Sequence, residues 1–383
     1  MIYLDNAATS WPKPPQVKEA MVKFMEEVGA NPGRSGHLLS IEAARILYET
    51  REALATLFHV KDPSRIVFTL NATESLNLAL KGLLKPGDHI ITSSMEHNSV
   101  MRPLRDLEKK GIALSILPCS KEGMLDPHEV EKQIRSNTRM VVLNHASNVA
   151  GTLLPIKEVG RITRTYNLLF LVDAAQTAGA YSIDVERDGI DLLAFTGHKS
   201  LYGPQGTGGL AIGERLDEKE MIPLKQGGTG SRSEFEQQPD FLPDRFESGT
   251  PNGVGISGLL AGIRFVQEKG VEQICQHESN LMQKVIKGLK EISQVKLYGP
   301  ENRENRIAVL SFNLAQRSPS EVALHLEREF GILCRPGLHC APAAHRTIGT
   351  FPDGTVRFGL SALSTETEIE AAIEAVSSIA QQK

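Results

Sequence analysis

Cysteine is scarce in this sequence. Four of 383 residues are cysteine, at positions 119, 275, 334 and 340, and no two form a C-x-x-C pair. That spacing argues against both a disulfide framework and a thiolate zinc site. Long apolar runs are missing too: LLFLV at 168–172 falls far short of the ~20 residues that span a bilayer, so no membrane-integral segment is expected. Near the amino terminus Asp5 interrupts the pattern and no basic segment leads into an apolar stretch, so a cleaved secretory signal is not expected and the expected location is cytoplasmic. No block of one charge occurs either. Lys and Arg number 42 against 46 Asp and Glu, for a net charge of −4, and the cations are scattered. Without a basic stripe to neutralise phosphates, no nucleic-acid partner is expected.

What is present is an ordinary globular composition, 40% hydrophobic and 23% charged, in a chain too long for one core. About two domains are expected at ~150 residues per domain. Short, nearly continuous apolar segments recur in the first two thirds: RIVFTL at 65, HIITSS at 89, RMVVLNHA at 139, LLFLVD at 168 and IDLLAFT at 190. Strands buried on both faces have this character. Helical patterns lie between them, at 73–84 and 127–135, and the alternation predicts an α/β fold with a mostly parallel sheet flanked by helices. Val17, Met21, Phe24 and Val28 mark the apolar face of another helix.

Residues 225–252 are rich in glycine, serine and proline without hydrophobic period, and so long an irregular segment suggests a functional one. Beyond it, helices at 256–268, 271–292 and 319–330, strands from 307 and at 355–362, and a final helix predict a smaller α+β domain. The expected division is a large domain over 1–252, whose amino-terminal segment joins the small domain, and a small domain over 253–383.

Lys199 sits in TGHKS directly after the apolar run IDLLAF, at a strand's carboxyl end. Such ends form the ligand crevice of an open parallel sheet, and a lysine in a partly dry crevice has a lowered pKa and can form a Schiff base. Asp173 ends the preceding expected strand and should be its neighbour. A lysine for an aldehyde and an acid for a ring nitrogen are what pyridoxal phosphate requires. The helix amino terminus at Asn71-Ala72-Thr73 offers a phosphate cradle, though Asn71 and Glu74 also stand at capping-box spacing. His97 and Asn148 follow two further strands, where an imidazole could stack on a flat ring and an amide could address its hydroxyl. Cys340 lies in the loop CRPGLHCAP directly after His339 and five positions after Arg335, a setting that favours a thiolate. Cys334, within the strand pattern, reads as a packed core residue. His339, Cys340 and His345 are too few and too irregular for a metal site, and no metal is expected. Arg357, in TVRFGLSA, can hold a carboxylate through a bidentate pair.

Taken together, YLDNAAT, NATESLNLALKG, MEHNSV, HASNVAGT, VDAAQ, TGHKSLYGPQGTGGL, RFESGTPN and RPGLHCAP resemble, in order, the motifs of the cysteine desulfurases. These belong to the class V aminotransferase superfamily of fold-type I pyridoxal phosphate enzymes. The resemblance implies Lys199 as Schiff-base lysine and proton shuttle, Asp173 on the pyridine nitrogen and His97 stacked on the ring. Gln176 and Asn148 would address the ring hydroxyl, and Ala72, Thr73, Thr196 and His198 would hold the phosphate. Thr250 would reach the phosphate from a neighbouring subunit, which implies a homodimer with shared sites. Arg357, with Asn148 and Arg335, would bind the substrate, and Cys340 would accept sulfur. The substrate implied is L-cysteine, with L-selenocysteine as the alternative, and a sulfur acceptor that the sequence does not name. The cysteine loop resembles the group II form, with Leu338 where a histidine is common there.

Overall fold

The computed structural model describes residues 1–33 and 36–382. Seven strands form one sheet in the order Ile66–Thr69, Gly208–Ile212, Leu192–Thr196, Leu169–Asp173, Thr138–Asn144, His89–Ser93, Ala113–Leu117. The last five run parallel, and Gly208–Ile212 runs against both of its neighbours. Six of the seven carboxyl ends therefore face one edge. This is the expected α/β class.

Alternation along these strands builds two cores. Ile91, Val141, Leu143, Phe170, Val172, Leu193 and Phe195 point to one face, where they meet Leu54 and Phe58 of the helix Leu38–Phe58. Ile90, Met140, Val142, Leu171, Leu192 and Ala194 point to the other, against Leu76, Leu80 and Leu104 of the helices Ala72–Leu83 and Asn98–Glu108. Both faces are covered, so the strands read as unbroken apolar runs. Each fully buried Leu, Ile or Phe contributes about 1.5–3 kcal/mol.

Two strands escape the apolar-run reading. Ala113–Leu117 is an edge strand with partly exposed positions, and Gly208–Ile212 opens on two glycines that read as a turn. Those glycines are steric necessities: a Cβ on Gly208 would lie 2.7 Å from the Asn71 Cα, and one on Gly209 2.4 Å from the Phe195 ring. The close approach brings the start of helix Ala72–Leu83 beside the strand that follows the lysine loop. Residues 225–252 contain neither helix nor strand.

The second sheet has four antiparallel strands in the order Arg335–Gly337, Thr355–Gly359, Val309–Leu314, Val295–Tyr298. Its core gathers Leu310, Phe312, Val356 and Phe358 with Leu281, Val322, Leu326 and Val376 from the helices Val271–Lys290, Pro319–Phe330 and Glu366–Gln381. Ser318 with Glu321 and Thr365 with Glu368 form capping boxes at the starts of the last two helices. The amino terminus joins this unit: Ile2 and Tyr3 pair in parallel with Ile332 and Leu333, and Leu4 enters the core. Leu259 and Ile263 of the helix Gly253–Lys269 pack instead into the large sheet's core.

One buried carboxyl makes stability pH-dependent. Glu278 is 4% exposed and lines a pocket of about 20 Å³ with Asn6, Gln176, Tyr181 and Ser200. Burial pushes its pKa up to about 8. Between its unfolded value and about 8 the folded chain keeps a proton that the unfolded chain releases, so this group's contribution is present at acid pH and is lost as pH rises. Glu278→Gln is expected to remove that loss, which has a slope of up to ~1.4 kcal/mol per pH unit. Thermal denaturation from pH 5 to 8 should show the two proteins converging at the acid end and the variant ahead at the alkaline end. Parallel curves would refute it.

Candidate active site

Most of the residues singled out from the sequence converge on one cavity of about 290 Å³. It opens where the carboxyl ends of the large sheet meet the small sheet. Ala72, Thr73, His97, Asn148, Asp173, Gln176, Thr196, His198, Lys199, Arg335 and Arg357 all line it. Two do not. Thr250 is exposed and lines a separate cavity of about 390 Å³ beside the buried Arg51–Glu247 ion pair. Cys340 is exposed, just outside the lining.

Lys199 and Asp173 are brought together by strand pairing, since Asp173 pairs with Ala194 and the two chain ends leave the sheet side by side. Burial lowers the lysine to about 8, and Arg357 and Arg335 push the same way against the attraction of Asp173. A fraction of the amine is thus unprotonated near neutral pH, which an exposed lysine is not. Asp173 is 6% exposed and accepts from the Ala175 N–H at 2.9 Å; burial raises its pKa from the ordinary value, opposed by that hydrogen bond and then by Lys199.

His97 caps the helix Asn98–Glu108, and its Nδ1 accepts from the Ser99 N–H at 3.1 Å. The proton of the neutral ring is therefore on Nε2. Burial, then Lys199 and Arg335, lower its pKa to about 3, so the ring stays uncharged. The Ser99 hydroxyl links His97 Nδ1 at 2.9 Å to the Thr73 hydroxyl at 2.8 Å. Ser99 also lines the cavity and is absent from the sequence reading; its offset of two from a capping histidine is the usable signal. Asn71 accepts from Glu74 N, as its spacing predicts, which leaves the first amides of helix Ala72–Leu83 without intrahelical acceptors.

The small sheet supplies cations. Arg357 is fully buried and stands directly across from Arg335 in the strand pair, so both guanidinium groups share one face. Its Nη1 donates to the Asn148 carbonyl at 3.1 Å and its Nη2 to the Asp5 carboxylate. Arg335 Nη2 reaches Cys340 Sγ at 3.4 Å, which places the thiol beside a cavity-lining group. The cysteine loop is tied down twice: Asn148 Nδ2 donates to the His339 carbonyl at 2.7 Å, and Asn98 N to the Cys340 carbonyl at 2.9 Å. His339 and Cys340 both have left-handed backbones, with φ 48° and 59°, a conformation that non-glycine residues hold at some cost. The turn buries His339 and exposes Cys340. Among the described residues no three His, Cys, Asp or Glu side chains cluster as metal ligands do; His345 bonds Thr350 and faces His339 edge-on at 5.4 Å. Cys334 packs against the small-domain core, and burial pushes its thiol up to about 12.

The model of the family described as "Aminotransferase class-V" matches residues 2–372. The chain belongs to the class V aminotransferase family. Its relatives include a probable cysteine desulfurase of Methanothermobacter thermautotrophicus, 34% identical over 99% of this chain and 94% of the relative. Among solved structures, the apo cysteine desulfurase of Thermococcus onnurineus superposes with a TM-score of 0.93 at 35% identity, covering 99% of this chain and 94% of that one. The Escherichia coli cysteine desulfurase in its S-sulfonic acid form gives 0.87 at 28% identity, covering 98% and 93%. The cavity of this class V chain fits pyridoxal phosphate, the family's cofactor. Asn148 Oδ1, Thr196 Oγ1, His198 Nδ1 and Arg357 Nε are buried without partners, and all four residues line the cavity. Unpaired buried polar atoms are costly unless a ligand satisfies them.

Proposed function

We propose that this protein is a pyridoxal-phosphate-dependent cysteine desulfurase that converts L-cysteine to L-alanine and takes the sulfur onto Cys340 as a persulfide. The supporting observation is the placement of an exposed thiol 3.4 Å from Arg335, a residue of the same cavity that holds Lys199 and Asp173. The relatives described as cysteine desulfurases agree with it.

Thr73, Thr196, His198 and the amides at Ala72 and Thr73 would hold the cofactor's phosphate, with Asp173 at the ring nitrogen, His97 on the ring face, and Gln176 and Asn148 at its hydroxyl. When bound, pyridoxal phosphate supplies an aldehyde carbon and an electron-accepting ring that make an amino acid's α-proton removable. Arg357, with Arg335 beside it, binds the substrate carboxylate through charge-assisted hydrogen bonds. Lys199 takes the α-proton, as a base of pKa about 8 can. The Cys340 thiolate attacks the substrate sulfur: a sulfur–sulfur bond forms, the carbon–sulfur bond breaks, and its electron pair stays with the carbon skeleton. Lys199 returns the proton it took, and the proton given up by the attacking thiol supplies the second one that completes the methyl group of alanine.

Three further readings accompany this one. Thr250 serves a second copy's phosphate site in a homodimer, which its position outside this chain's cavity favours. The protein works in the cytoplasm, in keeping with four unbridged cysteines; no helix among the described residues is long and apolar enough to cross a membrane. The division remains a large domain over 1–252 and a small domain over 253–383, with the helix Gly253–Lys269 joining the two, since its Leu259 and Ile263 pack with the large sheet.

Mass spectrometry after incubation with L-cysteine tests the central claim. One added sulfur atom on the Cys340 peptide, and on none of the other three cysteine peptides, is expected. Alanine production without any adduct at Cys340 would overturn it.

A further inference from the structure

Two charged groups near the cavity have no part in the chemistry above: Asp5 and Lys13. They lie at opposite ends of one segment that ties the small sheet to the lysine loop. At its start, Asn6 donates to the Gly359 carbonyl through both its backbone N–H, at 3.2 Å, and its side chain, at 3.1 Å, while Asp5 accepts from Arg357. At its end, the His198 carbonyl faces four donors: Ser10 N at 3.0 Å, Thr9 Oγ1 at 3.1 Å, Ser10 Oγ at 3.2 Å and Lys13 Nζ at 2.9 Å. Ser10 Oγ also reaches the Lys199 carbonyl at 2.8 Å. Between the two ends, Ala7 and Ala8 form cavity wall, and the Ala7 carbonyl accepts from Gln176 at 3.1 Å.

One carbonyl has two lone pairs, so four donors compete for it, and the cationic Lys13 makes the strongest of these bonds. No carboxylate stands within ion-pair distance of Lys13 among the described residues, so its charge is committed to that carbonyl and to Ser10 Oγ at 2.7 Å. At the other end a single carboxylate, that of Asp5, serves a fully buried Arg357 that stands opposite Arg335. The guanidinium still has an unpartnered Nε. A second carboxylate arriving there must share the cation with Asp5, and two anions on one cation loosen each other's hold.

We propose that Asp5 is a positioning residue that occupies Arg357 in place of a substrate carboxylate, and that residues 5–13, anchored by Lys13, carry its loosening to the backbone of Lys199. This rests on reading Arg357 as the carboxylate-binding residue. Occupancy of the carboxylate site would then adjust the amine that works on the same substrate.

The test uses the holoenzyme and propionate, which carries the carboxylate and lacks the amine and the sulfur. Calorimetry should give a Kd for Asp5→Asn about tenfold below that of the wild type, the effect of removing one competing charge at short range. Amide hydrogen exchange should show propionate altering residues 197–200 in the wild type and not in Lys13→Met, with the response restored in Lys13→Arg. The arginine variant also separates a lost anchor from a damaged fold. Equal or weaker propionate binding by Asp5→Asn, while Arg357→Gln abolishes binding, would overturn the role of Asp5 and leave the Arg357 reading standing. An exchange response that persists in Lys13→Met would overturn the relay. Wild-type propionate affinity in Arg357→Gln would overturn the Arg357 reading and this inference with it.

Discussion

Replacing Lys199 with alanine is expected to lower alanine formation from L-cysteine by at least ~10³-fold, the upper part of the range for a lost acid–base group. The loss should not be general. Thr73, Thr196, His198 and Asp173 line the cavity independently of the lysine side chain, so the variant should still bind pyridoxal phosphate, measured by cofactor retention on gel filtration. The lysine's competence comes from its surroundings: burial and two arginines hold it down to about 8 while Asp173 limits the fall. An exposed lysine at 10.5 would be almost fully protonated at neutral pH. Lys199→Arg, which keeps the charge and gives up the titration, should be as inactive as the alanine variant. Activity within tenfold of wild type in either protein would remove Lys199 from the reaction.

The large sheet was legible because burial on both faces leaves a plain record: continuous apolar runs, two of which end in Asp173 and Thr196 while a third stops four residues before His97. The same logic fails at Gly208–Ile212, where glycine is required by the approach of Asn71 and Phe195 and therefore reads as a turn. It fails again at Ala113–Leu117, an edge strand whose half-exposed positions break the run. Strand ends identified Lys199, Asp173 and His97 from order alone. Asp5 and Lys13 were invisible for a different reason: their roles arise from tertiary contacts, Asp5 through Arg357 and Lys13 through the carbonyl of His198. No local pattern encodes a partner more than a hundred positions away. Asn148 shows the intermediate case, since its place after a strand was readable but its hold on the His339 carbonyl was not.

The electrostatic character of the site follows from which groups the fold leaves charged. His97, His198 and His339 are held neutral, at about 3, 4 and 2, with burial as the first cause in each case. The positive field therefore comes from Arg357, Arg335 and the protonated fraction of Lys199. Such a site attracts carboxylate and phosphate, and also a thiolate at its rim. It offers three uncharged imidazole rings, which can pack and donate hydrogen bonds without repelling a cationic amino group.

Cys340→Ser separates the sulfur step from everything before it. The variant keeps the cavity, because the thiol is exposed and the Cys340 and His339 carbonyls that tie the loop down are main-chain groups the substitution leaves in place. Binding of pyridoxal phosphate and of propionate should be unchanged. Alanine formation from L-cysteine should nevertheless fall by about 10²-fold or more, since a serine hydroxyl near neutral pH is a far weaker nucleophile than a thiolate. With L-selenocysteine the loss should be much smaller, because selenium leaves carbon with less help from a nucleophile. The two substrates thus report different things: selenocysteine turnover measures the Lys199 half of the site, and cysteine turnover measures both halves. Arg335→Leu extends the argument. Removing the guanidinium 3.4 Å from Sγ should slow the cysteine reaction more than the selenocysteine one if Arg335 positions the sulfur nucleophile as well as the substrate carboxylate. Equal losses with both substrates would assign Arg335 to the carboxylate alone. Undiminished cysteine turnover in Cys340→Ser would mean that sulfur leaves without passing through this thiol.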